Sequence, residues 1–118
     1  MDRGVLALGV VALLALLGLG DAKNQPPKVE VYARSRPVEG QGNILQCHVT
    51  GFSPEDILVE LLKNGEPMTD VTYGDLSLDE KRQFQRLVSA PFTPSRDDVF
   101  TCRVIHVALE EGTQTYRW

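Results

Sequence analysis

Cys47 and Cys102 are the two cysteines of this 118-residue chain, and each sits in the middle of a short alternating apolar segment. Residues 43–50 (NILQCHVT) place Leu45, Cys47 and Val49 on one side. Residues 99–107 (VFTCRVIHV) place Cys102, Val104 and His106 on one side. A period of two is the mark of a strand with one buried face. Inward cysteines on two such strands suit a bond between packed sheets roughly 10 Å apart. Closing a loop of this span removes unfolded-state entropy worth roughly 4 kcal/mol. For a domain below about 100 residues, with a modest buried share of its surface, that is a large part of the net stability. A redox or nucleophilic role would call for a CxxC pair or an exposed, electropositive thiol. There is no CxxC, and both cysteines lie in hydrophobic strands.

An oxidising destination is written at the start of the chain. Residues 5–19 (VLALGVVALLALLGL) are uninterruptedly apolar and follow Arg3. The run falls short of the roughly 20 residues that cross a bilayer comfortably. Small residues Gly18, Gly20 and Ala22 follow it. This pattern predicts a cleaved secretory leader over residues 1–22, cut after Ala22, with a cut after Gly20 as the alternative and an uncleaved anchor as the other reading. Residues 23–118 then form the exported domain, soluble because no later apolar run could span a membrane, in a compartment where two cysteines pair. Asn24, Asn43 and Asn64 are followed by QP, IL and GE, so no N-glycosylation triplet exists. A formal net charge of −4 leaves no basic footprint for nucleic acid.

The remaining segments are also short and alternating. Residues 28–35 (KVEVYARS) turn Val29, Val31 and Ala33 inward and Glu30, Tyr32 and Arg34 outward. Residues 57–63 (ILVELLK) turn Ile57, Val59 and Leu61 inward and end at Asn64-Gly65, a tight-turn dipeptide. Residues 67–73 supply one short edge strand, where Pro67 is tolerated, and residues 76–78 continue it weakly. Residues 79–86 (DEKRQFQR) read as a loop entering a strand over 84–90, and residues 113–118 as the last strand. About seven short strands with regular turns predict a β-sandwich. His106 falls inward, as a hydrogen-bonded structural histidine. Arg86 falls in phase with Phe84 and Val88, so its stem is expected inside with the head snorkelling out.

No catalytic arrangement is legible. Cys47-His48 is the only local nucleophile–base candidate, and neighbours on a strand face opposite ways. Gly-x-Ser-x-Gly, His-Glu-x-x-His and phosphate-loop motifs are absent from the sequence. The chain therefore reads as an interaction module, with neither cofactor nor metal expected. Alternation gathers Tyr32, Arg34, Gln46, His48, Gln85, Leu87 and Ser89 on the outside of one sheet, a face suited to a partner protein.

Two segments carry a resemblance. FTCRVIHV (residues 100–107) resembles the aromatic-x-Cys-x-Val-x-His signature of constant-type immunoglobulin domains, and LQCHVTGFSP (residues 45–54) is similar to their first-cysteine strand and its turn. KVEVYARSRP (28–37), GFSPEDILVELLKNGEPM (51–68), DLSL (75–78), FTPS (92–95) and CRVIHVAL (102–109) narrow it to the light-chain family of class I major histocompatibility molecules. The resemblance implies an all-β, seven-stranded C1-type sandwich with sheets ABED and CFG. It implies a secreted, non-enzymatic subunit that binds a class I heavy chain without a covalent link. That association supports folding, peptide loading in the endoplasmic reticulum and presentation to T cells at the cell surface. The heavy-chain contacts it implies are Tyr32, Arg34, Gln46, His48, Gln85, Leu87 and Ser89, joined at the edge by Asp75 and Arg82. It also implies a cis bond before Pro54. The chain departs from the family at Phe100, where a tyrosine is usual, at Arg82, where a loop tryptophan is common, and at Leu78, where phenylalanine is common. The alternative is another secreted single immunoglobulin-type interaction domain.

Overall fold

A computed structural model describes residues 24–118, so the leader expected over residues 1–22 lies outside the described residues. The described chain forms β1 (Lys28–Ala33), β2 (Asn43–Phe52), β3 (Leu58–Lys63), β4 (Glu66–Pro67), β5 (Thr72–Tyr73), β6 (Ser77–Leu78), β7 (Phe84–Phe92), β8 (Phe100–Ile105) and β9 (Thr113–Arg117). Two antiparallel sheets result. The first runs β1-β2-β7-β5 with β6 also on β7, and the second runs β4-β3-β8-β9. In the lettering of the C1 sandwich these are ABED and CFG, with β4 added beside C.

The inner faces are the apolar phases of the sequence. Leu45, Cys47 and Val49 of β2 and Val88 and Ala90 of β7 are buried from the first sheet. Val59 and Leu61 of β3 and Phe100, Cys102 and Val104 of β8 meet them from the second. Cys47 and Cys102 are bonded at the centre, with Cα atoms 6.3 Å apart. Val88 lies beside Cys47 in its sheet and Leu61 beside Cys102 in the other, so apolar side chains flank the bond on both layers. Val29, Val31 and Ala33 pack at the margin of this core.

One expectation is corrected. Residues 67–73 do not form a single edge strand. Asn64 and Gly65 both have positive φ (53° and 84°), the geometry of a two-residue hairpin turn. That turn sends the chain straight back along β3, so Glu66 pairs with Lys63 and Pro67 with Leu62. Asp70, at φ 58°, then redirects the chain to the opposite layer, where Thr72 and Tyr73 pair with Ser89 and Val88. Pro67 sits on the open edge of the second sheet, where its missing N–H costs no ladder bond.

Two buried polar features are resolved. His106 is 2% exposed. Its Nδ1 accepts from the Ala108 amide at 3.0 Å, so the ring proton resides on Nε2, which donates to the Pro54 carbonyl at 2.9 Å. The imidazole is thereby satisfied as a neutral linker between two loops, with its edge against Phe52. The Ser53–Pro54 peptide beside it is cis. Arg86 pairs with inward-facing Val49, and its Nε is buried without a partner among the described residues while the residue as a whole is half-buried. Phe100 meets Phe92 edge-on at 5.0 Å, and Trp118 stacks edge-on against both. Phe100 is thus held by aromatic packing alone, with no hydroxyl to bond.

Replacing both cysteines (Cys47→Ala with Cys102→Ala) is expected to lower unfolding free energy by about 4 kcal/mol, read as a fall in the urea midpoint with a steeper slope, because the uncrosslinked unfolded chain exposes more surface. A loss below about 1 kcal/mol would show that the bond adds little to a core already closed by packing.

Candidate partner-binding surface

The outer face of the first sheet is an ordered grid, because antiparallel register places directly paired residues on the same side. Tyr32 pairs with Gln46, Gln46 with Ser89, and Ser89 with Thr72. The next row is Glu30–His48–Leu87, closed by Gly74, whose amide donates to the Leu87 carbonyl at 2.8 Å. Beyond it run Lys28–Thr50–Gln85–Ser77. On the other side the Arg34 amide bonds the Ile44 carbonyl at 2.8 Å, extending the ladder past β1, and Ile44 pairs with Pro91. Tyr32, Gln46, His48, Gln85, Leu87 and Ser89 are half-buried by their neighbours, whereas Arg34 is exposed.

Seven of the expected contact residues therefore share one continuous surface. Asp75 joins them, since it lines a shallow recess of about 260 Å³ with His48, Gly74, Ser77, Gln85, Arg86 and Leu87. Arg82 does not. It occupies the turn between β6 and β7 with a left-handed backbone, φ 61°. The Asp79 carboxylate shapes that turn, accepting from the amides of Lys81 at 2.8 Å and Gln83 at 2.9 Å. Arg82 is thus held out at the rim, beyond the end of the grid.

Sequence reasoning placed Glu30 outward without counting it among the contacts, and it overlooked Gly74, Ile44 and Thr72. Ile44 and Thr72 were within reach of the period-two rule, had it been carried to every strand. Gly74 was not, because its role is a close approach. A Cβ there would lie 2.8 Å from the Leu87 carbonyl oxygen, so only glycine lets β5 and β6 hug β7 at this point. That approach creates the recess.

The chemistry of the face suits docking rather than catalysis. Its strands carry an aromatic, an aliphatic side chain and several hydrogen-bonding groups at rigid sheet positions, without an enclosed cavity. Among the described residues no cluster of His, Cys, Asp or Glu could hold a metal ion, and no cysteine is free. The ion pairs of the described residues, Lys63–Asp98, Arg96–Glu39 and Arg103–Glu60, lie away from the grid. The one displaced titration among the described residues, Tyr116, belongs to the second sheet, where burial pushes its hydroxyl upward.

Comparison with known proteins gives a consistent set of likenesses. The immunoglobulin C1-set domain profile matches residues 29–109. Beta-2-microglobulin of Gallus gallus is 44% identical over 112 residues, covering 95% of this chain and 92% of that protein. Beta-2-microglobulin of Meleagris gallopavo is 47% identical over 92 residues, covering 78% and 93% respectively. The protein of the same name from Cebuella pygmaea is 43% identical over 111 residues, covering 92% of each.

A Gly74→Ala substitution forces the β5–β6 connection off β7 and is expected to cost about 1–3 kcal/mol as overpacking. Hydrogen exchange of the Gly74 amide should accelerate more than that of β8. Unchanged stability and unchanged exchange would mean that the close approach imposes no constraint.

Proposed function

This chain belongs to the immunoglobulin C1-set family and, within it, to the beta-2-microglobulins, and on that premise we propose that its outer β1-β2-β7 face seats the heavy chain of a class I major histocompatibility molecule. The observation that carries this reading is the division of labour across the first sheet. Its inner phase is consumed by the disulfide-centred core, while its outer phase presents Tyr32, Gln46, His48, Gln85, Leu87 and Ser89 as one surface. Rigid strands fix those side chains before binding, so little ordering entropy is lost on association.

Within that surface Tyr32 and Leu87 are the anchors. An aliphatic group inside the sheet at Leu87 and a half-buried aromatic on its β1 edge at Tyr32, with polar side chains between them, are of the kinds that carry binding energy in protein interfaces. Gln46, Gln85 and Ser89 offer hydrogen bonds between them, and Arg34, Asp75 and Arg82 supply rim charges that steer and orient. Arg82 gives the rim a cation where an aromatic is common, so contact there is polar.

The role is non-catalytic. After removal of the leader behind Ala22, the domain of residues 23–118 folds in the endoplasmic reticulum, pairs non-covalently with the heavy chain and supports its folding and peptide loading. The assembled molecule then presents peptide to T cells at the cell surface. The peptide is the heavy chain's ligand, and the light chain has no part in membrane insertion or nucleic-acid binding.

Co-expression of this chain with a class I heavy-chain ectodomain and a fitting peptide tests the reading. A stable complex should co-elute at micromolar concentration. Tyr32→Ala and Leu87→Ala should each weaken it by about 2 kcal/mol, roughly thirtyfold in Kd, whereas Thr115→Ala on the second sheet should leave it within about twofold. No complex, or equal loss from all three variants, would overturn the assignment.

A further inference from the structure

The turn that carries Arg82 is closed on itself. The Asp79 amide donates to the Gln83 carbonyl at 2.8 Å, the Arg82 amide donates to the Asp79 carbonyl at 3.0 Å, and the Asp79 carboxylate takes two further amides of the same turn. Among the described residues, one side-chain hydrogen bond leaves this turn: Gln83 Nε2 donates to Gln25 Oε1. Gln25 is itself anchored, since its amide donates to the Ser53 carbonyl at 2.7 Å and its carbonyl accepts from the Ser53 amide at 3.1 Å. Both glutamines are half-buried, and they line a common recess of about 650 Å³ with Pro26, Thr50 and Gly51. Gly51, at φ 69° in the bulge between Thr50 and Phe52, lies beneath the same amide: a Cβ there would stand 3.5 Å from Gln83 Oε1. The segment before β1, the bulged end of β2 and the turn between β6 and β7 therefore meet at one pair of side chains.

Resting on the heavy-chain reading above, we propose that Gln25 and Gln83 are positioning residues for the partner contact of Arg82. Gln83 follows Arg82 directly in the chain, so a restraint on its side chain restrains the residue that bears the guanidinium. Arg82 needs such a restraint, because its left-handed backbone (φ 61°) is one that residues with a Cβ seldom adopt. Asp79 gives the turn its shape, and the glutamine pair fixes where that shape stands relative to the sheet. A guanidinium held in place before association loses less freedom when the partner arrives. Its counterpart on the heavy chain is a hydrogen-bond acceptor, a carbonyl or carboxylate oxygen, since a guanidinium only donates. The grip on the partner thus extends to residues that lie off the outer face of β1, β2 and β7.

The test is a double-mutant cycle on the affinity of the exported chain for a peptide-loaded heavy-chain ectodomain. Arg82→Ala should weaken binding about fivefold, as for a polar contact at the rim. Gln83→Ala and Gln25→Ala should each weaken it about threefold, and neither should weaken it further once Arg82 is alanine, because the group they position is gone. Gln25→Glu keeps an acceptor for Gln83 and should stay within about twofold of wild type. In the free chain, hydrogen exchange of the Arg82 amide should accelerate in both alanine variants while the urea midpoint stays at its wild-type value, a local loosening without global loss. An equal loss from Gln83→Ala with and without Arg82 overturns the proposal. So does unchanged affinity in the glutamine variants, an unchanged Arg82 amide, or a loss in Gln25→Glu as large as in Gln25→Ala. If the unaltered chain forms no complex while its Arg82 amide still responds to Gln83→Ala, the heavy-chain reading itself fails and the positioning role falls with it.

Discussion

The bond between Cys47 and Cys102 joins the two layers at their middle, and the placement of the outward side chains on β1, β2 and β7 follows from it. Cysteine at 47 fixes the inward phase of β2, which makes Gln46 and His48 outward. Register then carries that choice sideways: Tyr32 and Glu30 on β1, Ser89 and Leu87 on β7. A slip of one residue would exchange core and surface along a whole strand. Apolar packing on both sides of the bond opposes such a slip, because Leu45, Val49, Val88, Leu61 and Val104 are all fully or nearly fully buried around it. The outer face is thus specified from the interior outward.

Period-two alternation made most of this legible beforehand. Each long strand has one apolar side, and the outward residues are what remains. The edges were less readable. Nothing in the composition of residues 67–73 announces that Asp70 adopts a left-handed backbone, yet that conformation splits the segment between two sheets. Gly74 has the same opacity: in sequence it is one more turn glycine, and only its distance to the Leu87 carbonyl reveals the constraint. Arg82 was expected at the rim because it stands where relatives carry a contact residue. Its position comes from the turn that Asp79 organises, a local hydrogen-bond pattern that spacing hardly discloses. Arg86 kept its awkward phase, because the pairing of β7 with β2 leaves no register in which Val88 is buried and Arg86 is not inward.

The two sheets divide their outer surfaces differently. The first carries the mixed polar and aromatic grid. The second carries the Glu60–Arg103 pair on a directly paired position, with Leu58 and Ile105 exposed as the neighbouring pair. Charged groups in the middle of that sheet keep its apolar residues in small groups, which suits a surface that stays in water. The split edge works in the same direction. Strands of two residues each, interrupted by Gly74 and displaced by Asp70, present few consecutive free amides to another chain.

The single tryptophan is lodged at one end of the sandwich, edge-on to Phe92 and Phe100, with its amide on the Phe100 carbonyl at 2.9 Å. Leu87 and Phe92 are five residues apart on β7, about 17 Å along an extended strand. Indole emission therefore senses the opening of the hydrophobic interior while staying blind to events over the central row. The molecule carries an optical gauge of its own integrity, separated in space from the central row of its outer face.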